Sequence, residues 1–147
     1  MDVVRQDAPR PDVADLEGFR TWFNELATIR WIGVECVDLE PGRVRSVLAV
    51  RDEQRNPGGA VNGGVLLAAA DVTAGVAVTS TSAPGAAVAT TDLTMHFMAP
   101  AVESPLELRV EVLRRGGRAV VPHVRITDAT GRLCAVATGT WAVRDPA

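Results

Sequence analysis

Apolar residues recur along this chain with two different periods. At Phe19, Trp22, Phe23, Leu26 and Ile29 they fall three and four residues apart, with Arg20, Thr21, Asn24 and Glu25 covering the other side. That spacing predicts an amphipathic helix over residues 14–28, laid on a core by one face. The text then turns strand-like. Residues 33–39 and 43–50 flank Glu40-Pro41-Gly42 and read as a hairpin, with Arg43, Arg45 and Ser46 turned to water. Residues 87–99, 106–114, 119–127 and 133–143 read as further strands. The short turns at Arg115-Gly116-Gly117 and Ala129-Thr130-Gly131 make neighbours antiparallel. Between the two strand groups, a charged and then glycine-rich loop over residues 51–61 empties into a second helix over residues 63–80. That helix is apolar on nearly every side, and Ala83-Pro84-Gly85 stops it.

An all-round apolar helix needs cover on most of its circumference, and a curved sheet plus a partner surface gives it. The pattern therefore predicts an α+β fold. About six mostly antiparallel strands wrap one long central helix, with an additional N-terminal helix. At 147 residues the chain is one domain over residues 13–147, preceded by a flexible arm over residues 1–12.

Composition narrows the function. A net charge of −3 leaves no basic face for nucleic acid. The longest apolar run carries Asp71 and several glycines and is read as no membrane span. The first residues lack a basic stretch followed by an apolar one, so the reading is cytoplasmic, with Cys36 and Cys134 reduced. No metal-ligand spacing stands out, and no cofactor is expected.

The chemistry concentrates around the central helix. Asp71 has Leu67, Ala68, Ala74 and Gly75 as its helical neighbours, and none can neutralise it. Gly63 and Gly64 sit where the first helical N–H groups are unpaired and a ligand oxygen can approach closely. Asn62 stands at the N-cap. Taken alone, Asn62-Gly63-Gly64 equally suits a well-capped helix with glycines for close packing. Eight residues separate Gly63 from Asp71, about 12 Å along a helix at about 1.5 Å per residue. If both serve one reaction, they come from two copies of the chain lying antiparallel across a two-fold axis.

The run Asn56, Asn62-Gly63-Gly64, Asp71 resembles the hotdog-fold acyl-CoA thioesterases of the phenylacetate-pathway (PaaI-like) type, whose pattern is Asn, then His-Gly-Gly, then Asp at this spacing. The stretch from Thr90 to Ala101, with its closing Pro-Ala, is similar to the family's strand after the central helix. The resemblance implies a hotdog fold and hydrolysis of an acyl- or aryl-CoA thioester to free acid and CoA, with CoA as part of the substrate. It implies Asp71 as nucleophile or general base, and the Gly63 N–H as the group polarising the carbonyl with help from Asn56. Thr90 would hold the attacking water, and Asn62 and Gly64 would contact the substrate. It also implies a homodimer, or a tetramer built as a dimer of dimers. Asn62 replaces the usual His; it can cap and hydrogen-bond but cannot become cationic. A non-hydrolytic acyl-CoA-binding protein is the alternative that this replacement raises. Arg118, with Arg114 and Arg115, is the cationic candidate for the CoA phosphates, and Trp31, Val65, Leu66 and Phe97 are apolar candidates for the acyl pocket.

Overall fold

The computed structural model describes residues 9–147. The arm expected over residues 1–12 lies mostly outside them; within its described end, Arg10 donates from Nη2 to the Ala86 carbonyl at 2.8 Å. Two short helices come first, α1 (Leu16–Glu25) and α2 (Ala27–Ile32). A hairpin, β1 (Val34–Glu40) and β2 (Arg43–Leu48), leads to a single 3-10 turn at Asp52–Gln54 and then to the long helix α3 (Gly63–Ser80). Four strands complete the chain: β3 (Ala87–Phe97), β4 (Leu106–Arg115), β5 (Ala119–Thr127) and β6 (Leu133–Arg144). They form one six-stranded antiparallel sheet in the order β1-β2-β4-β5-β6-β3. The sheet wraps α3, the α+β arrangement that the pattern predicted and the hotdog fold that the resemblance implied.

The predicted N-terminal helix is broken in two at Leu26, whose ψ of 133° is extended. No Gly or Pro marks the break, and the apolar stripe runs through it, from Phe19 and Phe23 to Ile29 and Ile32, all buried. Asn24 gives a physical reason. Its side chain exchanges two hydrogen bonds with the backbone of Cys36, at 2.9 and 2.8 Å. That pins the end of α1 to the outer edge of β1, and the chain must turn before it can bury Ile29 and Ile32.

One further expectation is corrected. Ser46 does not face water; β2 buries Val44, Ser46 and Leu48 in alternation, and Ser46 is fully buried. The pleat sets the side, and a hydroxyl is small enough to be accepted there. In addition, α3 is by length and composition apolar enough to cross a membrane, with a mean hydropathy of 1.5 over its 18 residues. Here the sheet covers it instead, and Leu66, Ala69, Ala70, Thr73, Ala74 and Val76–Ser80 are buried. Its open side is a narrow stripe at helical spacing, Gly64, Leu67, Ala68, Asp71, Val72 and Gly75.

The two sheet edges differ. Asn24 occupies the outer edge of β1, whereas the eleven residues of β3 have no neighbour on their outer side among the described residues.

Candidate active site

The loop before α3 is held from several directions, and so the helix start is fixed. Gln54 is buried; it donates from Nε2 to the Ile32 carbonyl at 2.6 Å, and its own carbonyl accepts from the Asn62 N–H at 2.8 Å. Val61 N–H donates to the Ala101 carbonyl at 2.8 Å. Asn56 Oδ1 accepts from the N–H groups of Gly58 and Ala60 at 2.9 and 3.2 Å. Those bonds fix which way the amide points and leave its NH2 as the free donating end, since Nδ2 has no acceptor among the described residues. Gly59, at φ 85°, closes this turn in a conformation that favours glycine.

Asn62 caps α3 as expected, its Oδ1 accepting from the Gly64 N–H at 2.8 Å. The Gly63 N–H finds no acceptor in the described protein. The ring of Phe97 lies against Gly63; a Cβ added there would stand 3.0 Å from Phe97 Cζ. Phe97 is 58% exposed and Trp31 75% exposed. A cavity of about 340 Å³ opens beside this helix start, lined by Trp31, Arg51, Gln54, Asn62, Gly64 and Val65. Leu66, named above as a pocket candidate, instead points into the core, because it falls on the sheet-facing side of α3.

Asp71 lies eight residues further along the same continuous helix, so within one chain the two features are about 12 Å apart and do not meet. Asp71 is half-buried on the open stripe of α3, and its missing partner comes from the sheet. Thr90 Oγ1 donates to Asp71 Oδ1 at 2.7 Å. Thr90 is brought there by an irregularity in β3. Its register on β6 shifts between Thr90 and Asp92, so Thr91 is an extra residue, and its hydroxyl donates to the Thr140 carbonyl at 2.8 Å. Gly139 permits this close approach, since a Cβ there would collide with the Asp92 carbonyl at 2.2 Å. Asp71 and Thr90 stand at a second cavity, of about 470 Å³, walled by α1, α2, α3 and the strand pair β3–β6.

The candidate residues thus fall into three places. Asp71 and Thr90 meet. Asn56, Asn62, Gly63 and Gly64 gather at the start of α3. Arg118 joins neither group; it is exposed on the β4–β5 turn, and Arg115 Nε donates from that turn to the Thr81 carbonyl, at the far end of α3. Pattern reading missed Gln54, the Thr91 irregularity and the indoles Trp22 and Trp141 that wall the larger cavity. For the irregularity a signal was present, because a glycine inside a strand pattern marks a bulge or a close backbone approach. Both cysteines are free and fully buried. Burial pushes the Cys36 thiol up to about 11, against the opposing pull of Arg20.

Residues 58–135 match the family model described as thioesterase superfamily. A curated relative, "Putative esterase SSO2140" of Saccharolobus solfataricus, is 30% identical over 112 residues, covering 76% of this chain and 79% of that one. Among solved structures, a hypothetical thioesterase protein of Streptococcus pneumoniae crystallised with coenzyme A is 25% identical with a TM-score of 0.69, covering 76% of this chain and 85% of that one. The PaaI protein of the E. coli phenylacetic acid degradation operon has a TM-score of 0.77 at 18% identity, over 85% of this chain and 89% of that one, a likeness of fold alone.

Proposed function

We propose that this chain, which belongs to the thioesterase superfamily, hydrolyses an acyl- or aryl-CoA thioester to the free acid and CoA in the manner of the PaaI-like enzymes. The observation that carries the reading is the Asp71–Thr90 pair. A carboxylate on the open stripe of an otherwise apolar helix is aimed by one hydroxyl at the mouth of a cavity, and packing alone gives it no use. Coenzyme A beside a Streptococcus pneumoniae thioesterase protein 25% identical to this chain supports a CoA ester as substrate.

In this reading Asp71 takes a proton from a water that Thr90 helps to hold. The water oxygen attacks the thioester carbonyl carbon, and the developing oxyanion lies against the Gly63 N–H and the Asn56 NH2. Collapse breaks the C–S bond; the CoA sulfur leaves as thiolate and regains a proton. Direct attack by the Asp71 carboxylate is the other route; it expels the thiolate and leaves a mixed anhydride that water must open. A single turnover in heavy-oxygen water that gives an unlabelled acid and a labelled Asp71 establishes this route, with water entering at the Asp71 carbon. No cofactor is required beyond the CoA carried by the substrate, and the buried free thiols suit a cytoplasmic setting.

The site is composite. Asp71 and Thr90 of one copy face Gly63 and Asn56 of a second across a two-fold axis. Three features support this: the 12 Å separation, the unpaired edge of β3, and the open stripe of α3 that includes Asp71. A tetramer formed as a dimer of such dimers is the larger assembly, and Arg118 would reach CoA phosphates only through a neighbouring copy.

Asp71→Asn and Asp71→Ala test the function. Thiol release from a panel of phenylacetyl-, benzoyl- and straight-chain acyl-CoAs should fall to background in both, with the assembly size unchanged by sedimentation. Full activity in Asp71→Ala refutes the mechanism. Asn62 favours one other reading, a binding protein that does not turn over. Saturable acyl-CoA binding by the parent protein without thiol release, with hydrolysis appearing in Asn62→His, would establish it.

A further inference from the structure

One residue matches the first N–H groups of α3 after Gly63. Asn62 Oδ1 accepts from Gly64 at 2.8 Å, and the Asn62 carbonyl accepts from Val65 and Leu66 at 3.0 and 3.2 Å. The Gly63 N–H is left over, so Asn62 sets its direction. Asn62 is in turn one foot of a small hairpin. Arg55 and Val61 form an antiparallel bridge, the Asn56 N–H donates to the Ala60 carbonyl at 2.7 Å, and the Asn62 N–H donates to the Gln54 carbonyl at 2.8 Å. The Asn56 NH2 and the Gly63 N–H, the two proposed oxyanion donors, therefore ride on one unit, and Gln54 is its other foot. The Gln54 side chain, 6% exposed, seats that unit on α2. Its Nε2 donates to the Ile32 carbonyl at 2.6 Å, and its Oε1 accepts from the Arg51 N–H at 2.9 Å. Arg51 Nη2 donates to the Trp31 carbonyl at 2.6 Å, so this loop takes up the last two carbonyls of α2. Ile29 and Ile32 bury α2 in the core, which makes it a firm anchor. A neutral amide accepts and donates at once. An ionised glutamate would keep the acceptor for Arg51 and set its charge against the Ile32 carbonyl.

We propose that Gln54 is a positioning residue for the hydrolysis. By fixing the hairpin to α2, it holds the Asn56 NH2 and the Gly63 N–H together on the developing oxyanion. The proposal rests on the hydrolase reading above, which supplies that oxyanion. Gln54 acts through the backbone of Asn62 and touches no reacting atom in this reading. Its effect falls on the transition state, because the carbonyl oxygen gathers its charge only there. Donors misplaced by about 1 Å cost up to about a hundredfold in rate.

Two readouts test this. In hydrolysis, Gln54→Met keeps the length and removes both hydrogen bonds, and Gln54→Glu keeps the acceptor and loses the donor. Each should lower kcat, by about 10- to 100-fold in Gln54→Met, with KM nearly unchanged. Gln54→Glu carries the test if Gln54→Met folds poorly. Ser80→Ala is the control for stability alone. At the other end of α3, the buried Ser80 Oγ accepts from the Gly42 N–H at 2.9 Å, so this variant should lower Tm and leave kcat at the parental value. The second readout needs no turnover. Amide hydrogen exchange at Asn62 and Gly64 should quicken by about tenfold or more in Gln54→Met, while Ala69 and Ala70 in the middle of α3 keep parental rates. Parental kcat in both Gln54 variants, an equal fall in Ser80→Ala, or unchanged exchange at Asn62 and Gly64 overturns the proposal. If the parent hydrolyses no CoA ester, the hydrolase reading has failed, and exchange at Asn62 and Gly64 still decides whether Gln54 holds the helix start.

Discussion

Thr90→Val removes one oxygen from the candidate site and little else. The Thr90 hydroxyl donates to Asp71 at 2.7 Å, and the residue is exposed on the edge strand β3. Valine keeps the branched shape that strands favour, so the fold should not suffer. A hydrogen bond to a charged acceptor contributes about 1.5–3 kcal/mol, and at this partly open site the lower end applies, because water can replace the lost donor. About 1.5 kcal/mol corresponds to about a tenfold fall in rate. The assay is CoA thiol release at saturating substrate, with Thr90→Ser as the control that retains the hydroxyl. The expected result is kcat down by about tenfold in Thr90→Val with KM nearly unchanged, and near-parent kcat in Thr90→Ser. An unchanged kcat in Thr90→Val, or equal losses in both variants, would refute the view that this hydroxyl aims Asp71 or its water.

Two further outcomes follow from the framework around the site. Gly139→Ala places a Cβ 2.2 Å from the Asp92 carbonyl and 3.0 Å from Leu93 Cα, both backbone, so β3 must move away. The cost is about 1–3 kcal/mol or more, seen as a lower Tm, and activity should fall as Thr90 leaves Asp71. Cys36 makes stability depend on pH in alkali. Burial raises its thiol from 9.0 to about 11, so above pH 9 the unfolded chain loses that proton while the folded one keeps it. Stability is therefore full below pH 9 and falls as pH rises toward 11, by about 2–3 kcal/mol. Denaturant titrations at pH 8 and pH 10.5 should show the loss in the parent and less of it in Cys36→Ala.

The sheet, the central helix and every strand were legible because their signals are local. Alternation, period and turn residues lie within a few positions of one another, and strand ends moved by at most two residues. Local pattern failed where a distant backbone decided the outcome. The break at Leu26 comes from Asn24 binding the edge of β1. The burial of Ser46 comes from the pleat of β2, which overrides the polarity of one hydroxyl. The site was partly legible for the same reason. Asn62-Gly63-Gly64 is a helix start written in consecutive residues. The spacing to Asp71 measured a distance because the helix between them is unbroken. The pairing of Asp71 with Thr90, nineteen residues on, depends on an extra residue in β3 and a glycine in β6, which no periodicity encodes.

The composite site is tested most directly by mixing two inactive variants. Asp71→Ala removes one half of the site. Asn56→Asp keeps the oxygen that holds the Gly58 and Ala60 N–H groups and removes the NH2 donor of the other half. Each variant alone should be inactive. After co-expression, about half of the dimers pair one variant with the other, and each such dimer has one intact site of two, so about a quarter of parental activity should return. Thiol release no greater than that of either variant alone would contradict a site shared between two copies.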